Sequence, residues 1–172
     1  MSILKRTRGL ALVIGGAALL AAPLALPAAA AVPAHVICSK LTSTTTVNLA
    51  TGKGTVSSQF LTCTPSGLAA GGTSKVTVPI SKLSGSITSK ITWKNGKGTT
   101  TVSEKFTTQK TLGKCPAGTK YRTIVTGTTG ASTGAAAKIV KKGEPINAEV
   151  CTKAPSSTKY VSTLRPGTKF KL

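Results

Sequence analysis

The segment Gly85 to Lys94 (GSITSKITWK) constrains the fold more than any other part of this chain. Ile87, Ile91 and Trp93 fall on one face by strict alternation, the period of a strand with one buried side. Asn95-Gly96 follows and supplies the two positive-φ residues that a type I′ turn needs. The return strand puts Thr100, Val102 and Phe106 on the matching face. That register also brings Glu104 onto the apolar side, which is a local contradiction. Either a bulge turns it outward, or it pairs with a lysine near a sheet edge; a buried functional carboxylate is the third alternative.

The rest of the chain has the same texture. Ser and Thr alternate with Val, Ile and one aromatic per segment, between Gly and Pro breaks, and almost nothing looks helical. Further strand candidates are Val36 to Lys40, Thr44 to Leu49, Thr55 to Thr62 and Lys75 to Ile80. Beyond the hairpin come Lys120 to Thr126, Ala137 to Val140, Ala148 to Thr152, Lys159 to Leu164 and Thr168 to Leu172. Gly127 to Gly134 (GTTGASTG) reads as a flexible connection; its glycines lack the order of a phosphate-binding loop. Short strands at this spacing predict an all-β fold, a single two-sheet β-sandwich (Ig-like or barrel-like) with two disulfides. Phe60, Trp93, Phe106, Tyr121, Tyr160 and Phe170 lie one per strand and are expected to fill the core.

Residues 1–31 carry the marks of a secretory signal peptide. Lys5, Arg6 and Arg8 form a positive start, Leu10 to Leu20 an apolar stretch, and Ala28 to Ala31 a small-residue cleavage region. Pro23 and Pro27 interrupt the apolar stretch, which argues against a membrane anchor. Residues 32–172 then form one domain that is secreted, extracellular or envelope-associated, with no transmembrane segment after cleavage. In that setting Cys38, Cys63, Cys115 and Cys151 read as two disulfides. Three pairings are open; Cys38–Cys63 with Cys115–Cys151 is favoured because each bridge ties neighbouring strands.

The chain has no Asp, and its formal net charge is +20. Loss of Lys5, Arg6 and Arg8 with the leader lowers that by three, to +17. Such a field attracts polyanions. The lysines are scattered, however, and only Arg122 and Arg165 offer a guanidinium fork to the mature domain. No specific nucleic-acid partner is expected on that pattern. Lys138, Lys141 and Lys142 are the tightest basic group and the candidate anion-binding residues. Elsewhere, lysines on strand faces serve to keep sheet edges soluble.

Chemistry is scarce. The lone histidine, His35, stands beside the cleavage region, and without Asp no Ser-His-Asp triad can be built. No C-x-x-C spacing suggests zinc. Glu104, Glu144 and Glu149 are the only acids; Glu104 with Glu149 is the one pairing conceivable for glycoside hydrolysis. The expectation is therefore a protein that is not an enzyme, with no catalytic residues, no metal and no cofactor.

Ile91 to Lys97 (ITWKNGK), Cys115 to Thr119 (CPAGT) and Pro166 to Phe170 (PGTKF) resemble exported all-β proteins of actinobacteria for which no activity is assigned. The resemblance implies export and a β fold, and carries over no functional residues. From charge, the expected partner is an anionic envelope polymer or surface. The alternative is a protein partner, with the chain acting as a secreted binding module, inhibitor or adhesin-like. That module would present its contacts on Gly127 to Gly134 or Ser66 to Ser74.

Overall fold

The structure, a computed structural model, describes residues 36–79, 84–110 and 112–172. All lie in the compact unit Ala31–Leu172. The expected leader, His35 and Lys82 lie outside the described residues.

Alternation builds nine strands: β1 (Ile37–Asn48), β2 (Lys53–Thr64), β3 (Gly72–Pro79), β4 (Ser84–Trp93), β5 (Gly98–Gln109), β6 (Tyr121–Ser132), β7 (Pro145–Ser156), β8 (Lys159–Leu164) and β9 (Phe170–Lys171). Each pairs antiparallel with its sequence neighbour from β1 through β8, and β8 returns to pair with β1, Thr42 opposite Thr163 and Thr46 opposite Lys159. The sheet thus closes on itself as an eight-stranded up-and-down barrel. This corrects the expected two-sheet sandwich. Alternation and turn spacing are the same in both architectures; only the β1–β8 pairing, remote in sequence, decides between them. β9 pairs with β1 and β7 beyond the end of β8, so the eighth stave is one strand interrupted at Arg165 to Lys169. The β3–β4 ladder is short, Gly72 to Ser74 against Trp93 to Ile91, so closure is least complete where the exposed Lys75 and Lys90 stand.

Two local expectations also change. Ala137 to Val140 is not a strand but part of a short helix, α1 (Ala136–Ile139), whose buried Ala136 faces the core. Gly127 to Ser132 is not a loop but the second half of β6, with a register shift against β5 between Thr100 and Val102. The Asn95-Gly96 turn has φ of 56° and 65°, the left-handed pair its sequence demands.

The barrel is filled unequally along its axis. At one end Trp93, Phe170, Ile91, Leu68, Val102 and Leu172 are all but sealed from solvent. Phe60 and Phe170 pack there with rings tilted 45° and centroids 4.6 Å apart. Each such side chain contributes roughly 1.5–3 kcal/mol by burial. The Trp93 indole N–H donates to the Thr100 hydroxyl at 2.9 Å, and that hydroxyl lies 3.0 Å from Ser132 Oγ, so the plug keeps its polar atoms paired. A 3-10 turn (Ser66–Leu68), α1 and β9 cover this end.

Cys38 is bonded to Cys63 across β1 and β2, beside the plug. Cys115, in the β5–β6 connection, is bonded to Cys151 on β7. The second bridge, with the Lys120 N–H donating to Thr152 O at 2.8 Å, straps that connection against the outer wall.

Candidate functional site

The opposite half of the barrel is hollow. Every other residue of each strand points inward. Here those positions carry small or hydroxyl side chains: Ser43 and Thr45 on β1, Ser58 on β2, Ser74 on β3, Ser89 on β4, Thr123 on β6 and Ser162 on β8. They leave a cavity of about 350 Å³, lined by residues from all eight staves. Its apolar surface comes from Val56, Val76, Val78, Ile87, Phe106 and Val125, with Tyr121 and Tyr160 alongside. Of the six aromatics only Trp93 lies wholly in the plug; the buried Phe60 and Phe170 border the cavity from the packed end, while Phe106, Tyr121 and Tyr160, half-buried, line the hollow part. The expectation of uniform core filling is corrected to that extent.

Much of the hydroxyl lining is held in cross-strand pairs. Ser43 and Ser58 stand 2.7 Å apart, Thr108 and Thr123 3.0 Å, and Thr152 and Ser162 2.7 Å. Each pair joins directly opposed residues of neighbouring strands. The walls are thus polar in composition but partly satisfied among themselves, and an apolar guest meets fewer unpaired groups than a residue count suggests.

Glu104 is the exception. It faces into the cavity from β5, between Ile87 on β4 and Gly127 on β6, its two ladder neighbours. A Cβ on Gly127 would run into the carbonyl oxygen of Ser103, so no side chain fits beside the carboxylate there. The bulge between β5 and β6 lies at Thr100 to Val102 and leaves Glu104 facing inward. No lysine, arginine or histidine lines the cavity among the described residues. Burial pushes the Glu104 carboxyl up to about 7 from an ordinary 4.5. Of the three readings the sequence allowed, the structure keeps the inward carboxylate.

Glu149 is on the other side of the wall. Arg122 Nε donates to Glu149 Oε1 and Arg165 Nε to Oε2, the latter at 2.5 Å, so both oxygens are engaged. Glu144 is fully buried beside α1, its backbone N–H donating to Thr129 Oγ1 at 2.9 Å. The conceivable Glu104–Glu149 pair is divided by the sheet and does not share a cavity. Among the described residues no group of three or more His, Cys, Asp or Glu is placed to hold a metal.

Lys138, Lys141 and Lys142 are exposed on α1 and the segment after it, at the plugged end. None of them lines the cavity that holds Glu104. Every described lysine except Lys97 is exposed. Outward positions of the staves include the exposed Lys75, Lys90, Lys105, Thr77 and Thr126, with Leu61, Ile124 and Val161 among them, rather than the continuous apolar girdle of a membrane-spanning barrel. No helix among the described residues is long and apolar enough to cross a membrane.

Comparison with protein-family profiles, with curated proteins and with solved structures finds no match for this chain.

Proposed function

We propose that this chain is an exported binding barrel that takes one small, largely apolar molecule into its hollow half. What carries the reading is the cavity itself: about 350 Å³, in a barrel whose other end is solidly packed. Small-molecule sites are concave, mostly apolar and supplied with a few polar groups, at volumes from roughly 300 Å³ upward. Two disulfides suit an oxidising environment, and the leader read from residues 1–31 supplies the route out.

The test is titration with N-phenyl-1-naphthylamine, a neutral dye that brightens in apolar surroundings. One saturable site, lost when Ser58→Phe and Ser89→Leu fill the cavity, supports the reading. Absence of saturable brightening in the native, oxidised protein overturns it.

A second reading concerns the exterior. Both arginines of the barrel are tied to Glu149, whereas the lysines project into solvent around the wall. That arrangement favours loose electrostatic attachment to anionic envelope polymers over docking of a shaped partner. Retention on isolated envelope material should fall steeply as salt rises; salt-insensitive retention counts against it. The protein-partner alternative loses one suspected loop, since Gly127 to Ser132 is locked into β6.

A further inference from the structure

Glu104 is a carboxylate set into a pocket with no cation to answer it among the described residues. The titratable groups that share the cavity are Tyr121 on β6 and Tyr160 on β8; the lining positions of the other staves are neutral and non-titrating. Its ladder neighbours, Ile87 and Gly127, offer no side-chain donor. An ionised carboxylate in such a place lacks the partner that buried charge requires. Phe106, Tyr121 and Tyr160 line the same space, and aromatic faces attract organic cations.

We infer that the hollow half selects amphiphiles bearing an organic ammonium group, with Glu104 as the counter-ion and the aromatic and valine surface holding the apolar body. The inference rests on the cavity being a ligand site. The positive exterior sharpens it: a cationic amphiphile is repelled by the outer wall, so any preference for positive charge has to arise inside. At physiological salt that repulsion is screened within about 8 Å and does not bar entry.

Because burial raises Glu104 to about 7, its ionised form dominates at pH 8.5 and its neutral form at pH 5.5. Charge recognition is therefore a property of the alkaline side. The probes are decyltrimethylammonium, whose charge does not change with pH, and decanol, its neutral counterpart. Each is titrated against bound N-phenyl-1-naphthylamine at pH 8.5 and 5.5, with direct calorimetry in parallel. The expected result is at least a tenfold advantage for the cation at pH 8.5, shrinking several-fold at pH 5.5. Glu104→Gln should abolish the advantage at both pH values. The pH series on the unsubstituted protein tests the same point without relying on the variant.

Equal potency of cation and alcohol at pH 8.5, with the dye bound, overturns this inference and leaves the cavity as a ligand site. If neither the dye nor the cation binds, both readings fall.

Discussion

The ring of Phe106 lies over Gly85, its directly opposed residue on β4, so closely that a Cβ at Gly85 would stand 3.1 Å from Phe106 Cζ. Glycine at 85 is thus the seat of an aromatic side chain that borders the ligand cavity. Gly85→Val should push the ring into the hollow space and weaken N-phenyl-1-naphthylamine binding several-fold. Overpacking of this kind costs about 1–3 kcal/mol in a tight core; beside a cavity the ring can yield, and the cost should sit at the low end. Unchanged dye affinity would show that Phe106 does not border the bound molecule.

Glu104→Gln should make the protein more stable, with a defined pH dependence. The folded carboxyl titrates near 7 and the unfolded one near 4.5, so between those values the folded state holds the extra proton. Stability from this group is accordingly highest below about 4.5, falls as pH rises to about 7 and is flat above. The full penalty is on the order of 3 kcal/mol. Urea melts of both proteins from pH 4.5 to 8.5 check it: the variant's advantage should grow with pH and vanish near 4.5. An advantage independent of pH would mean the carboxylate is not desolvated.

Thr100→Val removes the acceptor of the buried Trp93 indole N–H and the neighbour of Ser132. The orphaned donor should cost about 1–3 kcal/mol. Thr100→Ser, which keeps the hydroxyl, should cost less. Chemical denaturation followed by Trp93 fluorescence distinguishes the two, and equal losses would assign the effect to packing alone.

Glu149→Gln leaves Arg122 and Arg165 without their shared anion on the outer wall. Partial exposure moderates the effect, and a loss of roughly 1 kcal/mol is expected. Dye binding in the cavity should be unaffected, since the sheet separates Glu149 from it. A change in ligand affinity equal to that of Glu104→Gln would contradict this partition.

Replacing either cystine pair by alanine should cost about 3–4 kcal/mol, because the loops closed span 25 and 36 residues of sequence separation and their entropies differ little. Function should separate them. Loss of Cys115–Cys151 frees the β5–β6 connection near the open half, whereas loss of Cys38–Cys63 acts at the plug. Dye affinity measured well below the melting point should fall only for the first.

Local structure was largely legible in the chain. The β4–β5 hairpin follows from Ile87, Ile91, Trp93 and Asn95-Gly96, and Glu104 falls on the inner face by parity alone. What strand alternation cannot give is closure. Whether β8 meets β1 depends on coiling accumulated around the whole sheet, and no residue near Thr42 or Thr163 announces it. The glycine-rich segment Gly127 to Gly134 misled: Gly130 serves an irregular stretch of β6, and Gly127 permits close approach to β5, so neither marks a loop. The cavity did leave a signal. Ser43, Ser58, Ser74 and Ser89 share parity with the valines, isoleucines and aromatics of their strands, so small side chains recur at inward positions. Read as composition rather than by parity, those serines suggested only a β-rich chain.

Val36 and Leu172 exchange both backbone hydrogen bonds, at 3.0 and 2.8 Å. The first and last described residues are therefore side by side, as neighbouring staves of the barrel are. A short peptide joining them, with the chain reopened at Thr51-Gly52, gives a circular permutant in which every stave keeps its neighbours. Such a molecule has its new ends at the hollow end of the barrel, where a reporter fused to them would sense the cavity filling.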